Sequence, residues 1–384
     1  MSQPEYRRVT LDQPESQQQR TIKLIEDVIL QLVTDVAHNV PPQLTIRNTS
    51  RWENITFDDR NNLKKRGEAF ETTVNFSAHK SRNKMMIIIH VLSKIHRLLT
   101  TKSTCTKREL YYQNVALFKT QSVVDGAINF ISNLLDMPPW ELGVTSSSKG
   151  LAAGPMSLHM SNREIIKYDV GGGVMLPQNI GDIREIGFGG KYILIVEKDA
   201  AFQKLLDENI FQRQPDCVLI TKLLDENIFQ RQPDCVLITS KGFPDVNTRL
   251  FLRKLKDSVD VPLYALVDAD PYGIEIMCVY RYGSLTLSPQ ALTLACPEIQ
   301  WLGIHPTDIR HWVIPTIPMT DRDLSKLRHL LTRPFIVSNK KLLKELKFLL
   351  KMGKKAEIEG VYQFSPNFLT QYFIPQKISK NQLH

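Results

Sequence analysis

Acidic residues stand where two strongly apolar runs end. Glu197 closes ILIVEKD, and Asp268 and Asp270 close YALVDADPYG. In open parallel sheets, ligands gather outside the carboxyl ends of the strands. Asp268 and Asp270 are two apart, so in extended backbone they point the same way. Should the two strands be neighbours, three carboxylates converge. Their repulsion calls for a cation, and oxygen-only ligands select Mg²⁺ or Mn²⁺. A plain Asp-Pro-Tyr-Gly turn and a solvated strand end are the simpler use of the same residues.

A second chemistry is available in TKRELYYQ, where Tyr111 and Tyr112 follow Lys107 and Arg108. Arg108 and Tyr112 are four apart and share a helix face. A phenol titrates at about 10 and attacks slowly at neutral pH unless a cation or base assists. A guanidinium one turn away is assistance of that kind; packing both rings in a core is the alternative. Lys149 in SSSKG, Lys241 in SKGFPD and Arg249 in NTR sit among small polar residues that suit phosphate approach to the backbone. Solvated surface is the other use of such cations.

The elements that must position these groups follow from periodicity. KYILIVEKD, CVLIT and PLYALVDAD read as buried strands, alternating with helices over AAFQKLLDENIF, VNTRLFLRKLKDSV and GIEIMCVYRYG. That alternation predicts a parallel sheet covered on both faces. Further helices are expected at 321–331 and 339–351. Upstream, KMMIIIHVLSKIHRLLTT (84–101), TKRELYYQ (106–113, with Thr106 and Glu109 in capping-box spacing) and QSVVDGAINFISNLLDM (121–137) read as three helices. Short strands from WELGVTSSSKGLAAG onward would add a β-wing, giving a winged-helix DNA-binding module. The Gly-rich stretch 171–190 lacks the strand-before, helix-after context of a dinucleotide fingerprint and reads as a junction. Within 21–38, Ile22, Ile25, Ile29, Leu32 and Val36 form an apolar seam, suited to the chain's own core or to a partner's helix.

Residues 204–221 (KLLDENIFQRQPDCVLIT) recur without one difference as 222–239. An old duplication would have drifted, so the repeat is recent or arose in assembling the coding sequence. A fold needing one helix and one strand here can take the helix from the first copy and the strand from the second. About 18 residues, Cys217 to Asp234, would then loop out.

The 384 residues suffice for two or three domains, and 42% hydrophobic with 23% charged residues excludes global disorder. Lys and Arg exceed Asp and Glu by 9, which suits a polyanion partner. No window offers the roughly 20 consecutive apolar residues of a membrane span. The polar start lacks a secretory apolar core. Five singly placed cysteines form no C-x-x-C pair, which argues against a zinc site or disulfide framework.

Taken in order, KRELYYQNVALF, SSKGLAAG, VEKDAAFQ, ITSKGFPDVNTR, LVDADPYGIEIM, YGS and WLGIHPTDI resemble the topoisomerase VI A-subunit family and its eukaryotic meiotic double-strand-break transesterases. The similarity runs from about residue 84 to 384. It implies a multi-domain α/β chain, a winged-helix (CAP-like) DNA-binding domain followed by a Toprim domain with a parallel sheet. The expected division is a disordered 1–20, a partner-docking helix in 21–40, the winged-helix domain in 41–165 and the Toprim domain in 166–384, which contains the repeat. By resemblance, Tyr112 attacks DNA, Arg108 assists it, and Glu197, Asp268 and Asp270 bind Mg²⁺. Lys241, with Lys149 and Arg249, would contact DNA. The implied reaction leaves Tyr112 joined to a 5′-phosphate and makes meiotic double-strand breaks that start recombination. It needs double-stranded DNA, a homodimer in which one protomer's tyrosine meets the other's metal site, a topoisomerase VI B-like subunit docking at 21–38, and further break-forming proteins. The place of action would be the nucleus, on meiotic chromosomes. Two other outcomes are a Toprim nuclease that hydrolyses DNA with metal-activated water, and a DNA-binding form whose catalysis the repeat has impaired.

Overall fold

The computed structural model describes residues 7–10, 16–47, 52, 55–57, 63–65, 71–145, 148–208, 235–381 and 383–384. At its centre lies a six-stranded sheet in the order Val174–Met175, Leu151–Ala153, Cys235–Thr239, Tyr192–Val196, Leu263–Leu266, Gln300–Gly303. The last four strands are parallel; the first two run antiparallel to their neighbours. In the three inner parallel strands nearly every side chain is buried, and alternate residues serve opposite layers. Ile193, Ile195, Val236, Ile238, Leu263 and Ala265 join one core with helices Val246–Ser258 and Pro271–Tyr282. Leu194, Val196, Leu237 and Leu266 join another, with helix Asp199–Asp207 and the C-terminal Phe373 and Ile374. Continuous apolar runs in the sequence are the signature of this two-sided burial.

From Tyr192–Val196 the chain returns through helix Asp199–Asp207 to Cys235–Thr239 on one side. It then crosses by helix Val246–Ser258 to Leu263–Leu266 on the other side. That reversal of direction opens a crevice at the carboxyl ends of Tyr192–Val196 and Leu263–Leu266. The helix takes its last turn, Lys204–Asp207, from the first copy of the repeat, and the strand Cys235–Thr239 comes from the second. Residues 209–234, including the segment expected to loop out, lie outside the described residues.

The upstream helices form a separate core. Helices Ser16–Ala37, His79–Thr100, Lys107–Tyr112 and Gln121–Leu135 pack Ile25, Leu32, Ile88, Leu92, Ile95, Leu110, Ile128 and Ile131 together. The seam of the first helix is thus spent on its own unit at Ile25 and Leu32, while Leu30, Val33 and Val36 are exposed. Helices Asp321–Leu331 and Lys340–Met352 lie where periodicity predicts them.

Two expectations need correction. Residues 1–20 are not wholly disordered: Arg7–Thr10 form an edge strand against Ile183–Phe188, and the first helix begins at Ser16. The strand's partner is about 180 residues away, so no local pattern announces it. The strands after residue 143 do not form a wing on the helical unit. Val144–Thr145 pairs with Cys105–Thr106, but Leu151–Ala153 enters the six-stranded sheet. Met156–Met160 and Ile165–Lys167 enter a four-stranded antiparallel sheet that also holds Arg7–Thr10 and Ile183–Phe188. The sheets therefore cross the division expected at 165/166, because strand membership is set by distant hydrogen-bond partners.

Candidate functional site

Glu197 follows the last residue of its strand, and Asp268 lies two residues beyond the neighbouring strand. Parallel pairing sets Val196 beside Leu266, so both acids emerge at the same end of the crevice. The Asp268 backbone N–H donates to Glu197 Oε2 at 2.8 Å, and the Ile358 N–H donates to Asp268 Oδ1 at 2.8 Å. Asp270 caps helix Pro271–Tyr282, accepting from the Gly273 N–H at 2.7 Å. Pro271 suits the first helical position because its missing N–H would have had no partner there. An ideal Cβ on Gly273 would stand 2.7 Å from Glu197 Oε2 and 2.7 Å from the Asp268 carbonyl oxygen. Glycine is what lets the helix approach the two acids this closely.

Glu197 and Asp268 are 8% and 4% exposed. Burial first, and then the charge of Asp268, push the Glu197 carboxyl up to about 8. Burial lifts Asp268 to about 6, against the pull of Lys198, and also raises Asp270. Lys198 is the counter-charge: its Nζ lies 2.8 Å from Asp268 Oδ2, 3.0 Å from Glu359 Oε2 and 3.3 Å from Glu357 Oε2. Burial opposes its charge, but Asp268 and Glu359 outweigh burial and hold its pKa above the ordinary value.

The donor set fits a hard divalent cation: carboxylate oxygens only, desolvated, with Asp268 and Asp270 raising Glu197 and Asp270 raising Asp268. Glu197, Asp268 and Asp270 would hold it. Among the described residues no three acidic, His or Cys side chains already stand in coordinating positions, and Lys198 is the cation now against Asp268.

The two tyrosines part company. Tyr111 is half-buried against the helical core and donates from its hydroxyl to the Lys119 carbonyl at 3.3 Å. Tyr112, the last residue of helix Lys107–Tyr112, is 70% exposed. The helix starts in a capping box in which Thr106 Oγ1 accepts from the Glu109 N–H at 3.1 Å and Glu109 accepts from the Thr106 N–H. Arg108 is exposed on the same short helix. No hydrogen bond or ion pair among the described residues joins Tyr112 or Arg108 to the three carboxylates.

The Lys241 loop is tied to the site, because the Gly242 N–H donates to the Glu197 carbonyl at 2.8 Å. Lys241 Nζ itself pairs with Asp199 at 3.1 Å. Lys149 is exposed, and its backbone N–H reaches Asp245 Oδ2 at 3.3 Å. Arg249, expected on a phosphate-contacting surface, is instead 2% exposed, held between helices. Position 249 falls on the inward face of helix Val246–Ser258, in step with Leu252 one turn later. Sequence reasoning also missed Lys198 and Gly273. Each sits close to a predicted acid, Lys198 next to Glu197 and Gly273 three residues after Asp270, and the capping geometry of D-P-Y-G was the signal for the second.

Fold and site together define the class: a Toprim-bearing α/β protein joined to an N-terminal domain of the type IIB topoisomerase kind. The family model for the Toprim domain of topoisomerase 6 A-subunit/Spo11 proteins matches residues 192–223 and 221–378, and the model "Type IIB DNA topoisomerase" matches 83–144. The first match breaks at residues 221–223, where the second copy of the repeat begins. The chain is 37% identical to the human meiotic recombination protein SPO11, over 92% of this chain and 86% of that protein. It is 32% identical to the Drosophila melanogaster meiotic recombination protein W68, over 93% and 97%. With the A subunit of Arabidopsis thaliana DNA topoisomerase 6 it shares 33% identity over 79% and 68%. The chain therefore belongs to the topoisomerase 6 A-subunit/Spo11 family.

Proposed function

We propose that this protein is a topoisomerase-like DNA transesterase that makes meiotic double-strand breaks. The observation that carries the reading is the contrast between its two centres. One is an exposed phenol, Tyr112, on a capped helix; the other is a buried acid cluster at the crevice of a Toprim sheet. In the proposed step the Tyr112 oxygen attacks a DNA phosphorus. The new phenolic O–P bond replaces the P–O3′ bond, the phenol's proton ends on the departing 3′-oxygen, and the 5′-phosphate stays on Tyr112. One ester is exchanged for another, so the cut itself needs no nucleotide. Arg108, one turn before Tyr112, supplies positive charge to the attacking oxygen and the phosphate.

Mg²⁺ bound by Glu197, Asp268 and Asp270 would neutralise charge building on the phosphate and leaving oxygen. Lys241 and Lys149 would hold the DNA backbone. One tyrosine cuts one strand, so two protomers act together, each tyrosine serving the other's acid cluster. The upstream helices, which carry Arg108 and Tyr112, would bind duplex DNA. A topoisomerase VI B-like subunit would dock on the exposed Leu30, Val33 and Val36 of the first helix, and the protein would work in the nucleus with other break-forming proteins.

The test is Tyr112→Phe. The ring is exposed, so folding changes by no more than about 0.5 kcal/mol. Covalent protein–DNA adducts should vanish while DNA binding persists. Strand cleavage without adducts in this variant would replace the reading with a hydrolytic Toprim nuclease. Adducts of normal yield would remove Tyr112 from the mechanism.

A further inference from the structure

Between helices Val246–Ser258 and Pro271–Tyr282 is a cavity of about 350 Å³. That size suits a small organic ligand. Arg249 lines it, and among the described residues the Arg249 Nε and Nη2 atoms have no hydrogen-bond partner. Buried guanidinium nitrogens left without partners are costly, because their desolvation is not offset by pairing. Burial lowers its pKa to about 10, so the charge survives at neutral pH. Arg333 adds a second guanidinium to the lining. Glu275 is the carboxylate of the lining, and it is already engaged by Lys326. Among the described residues, the lining thus holds two guanidinium groups against one carboxylate, Glu275, whose charge acts on Arg333 and on Lys326. Its remaining walls are largely apolar and aromatic: Trp52, Phe243 and Phe335 line it, with Arg333 stacked 4.3 Å above Trp52.

We propose that this cavity is a binding site for a nucleoside monophosphate, with the phosphate on Arg249 and the flat base against the aromatic walls. A phosphate offers the paired oxygens that a guanidinium fork matches, and its double negative charge suits two arginines. A base supplies a stacking surface for the exposed Phe243 ring, while Phe335 and Trp52, whose faces are taken by Tyr282 and Arg333, form the wall behind it. The ligand is either free nucleotide or the 5′-phosphorylated end of a DNA strand; both carry the same doubly charged phosphate monoester. The site does not depend on the transesterase reading, since Tyr112 contributes nothing to it.

The experiment titrates the full chain with AMP, adenosine, inorganic phosphate and a short 5′-phosphorylated single-stranded oligothymidylate, by calorimetry. AMP should bind, with adenosine and phosphate each much weaker. Arg249→Gln should weaken AMP by about ten- to a hundredfold, the worth of a hydrogen bond to a charged group. Phe243→Ala, at an exposed position that does not put the fold at risk, should weaken AMP several-fold and leave phosphate unchanged. Competition by the oligonucleotide would assign the phosphate to DNA; AMP binding untouched by it would assign free nucleotide. No AMP binding by the native chain, or native-strength binding by both variants, overturns the proposal. Loss of adducts in Tyr112→Phe with AMP binding intact separates this site from the catalytic one.

Discussion

Deleting one copy of the repeat should stabilise this protein, and the size of the effect follows from where the fold uses each copy. The copies are identical, so removing residues 204–221 or 222–239 leaves the same chain. Its single remaining KLLDENIFQRQPDCVLIT still supplies the last helical turn at Lys204–Asp207 and the strand now formed by Cys235–Thr239. What changes is the connection between helix and strand, which shortens from about 26 residues to about eight. Closing a connection costs 1.5RT times the logarithm of its length, so the shortening is worth about 1 kcal/mol. In a domain of this size that raises the thermal midpoint by about 2–4 °C. Removing one VLIT segment also removes a β-prone, uncharged run, so light scattering during unfolding should fall. Urea unfolding of both chains, with midpoint and slope fitted, reads the first effect. The strand Cys235–Thr239 is central to the sheet that holds Glu197, so cleavage should persist or improve. A lower midpoint, or loss of the folded state, would show that the second copy contributes packing and would refute the reasoning.

Other expectations follow from the site and its surroundings. Gly273→Ala would press a methyl against Glu197 Oε2 and the Asp268 carbonyl, where backbone cannot give way. Stability should drop by about 1–3 kcal/mol, with a loss of metal-dependent cleavage larger than that unfolding explains. An alanine chain of native stability and full activity would contradict the close approach. Acid sensitivity should come in part from His305, which is 2% exposed. Burial first, then the charges of Lys377, His384 and Lys341, hold its pKa well below 6.5, against the Trp301 carbonyl. Asp308 and Glu345 complete its surroundings: Asp308 Oδ2 lies 3.7 Å from His305 Nδ1 while its Oδ1 pairs with Lys377 at 2.7 Å, and Glu345 reaches it through His384 at 3.5 Å. The folded state therefore refuses a proton that the unfolded chain accepts. The stability this confers is present above pH 6.5 and lost below it, by up to about 1.4 kcal/mol per pH unit. Urea midpoints between pH 5 and 7 should show that slope, and His305→Gln should flatten it; an unchanged slope would remove His305 as the cause.

The acids of the site were legible one strand at a time. Glu197, Asp268 and Asp270 each end an apolar run, and periodicity predicts those runs as buried parallel strands. Tyr112 was legible only as one of two phenols on a capped helix. The family resemblance singled out Tyr112; the structure leaves that ring in solvent and half-buries Tyr111, whose hydroxyl donates to the Lys119 carbonyl. Lys198 and Gly273 were missed because their importance lies in contacts across the crevice, to Asp268 and Glu197, rather than in their own neighbourhoods.

Residue type and local periodicity were enough to establish the alternation of strands and helices around the acids, the acids at strand ends and the copied segment. Chain folding in three dimensions settled what remained. It set Val196 beside Leu266, so that two acids 71 residues apart share a hydrogen bond. It drew Arg7–Thr10 and Leu151–Ala153 into sheets with distant partners. It also turned Arg249 from an expected surface cation into a buried one. Strand pairing and helix-face burial depend on which surfaces meet, and no local run of residues encodes that meeting.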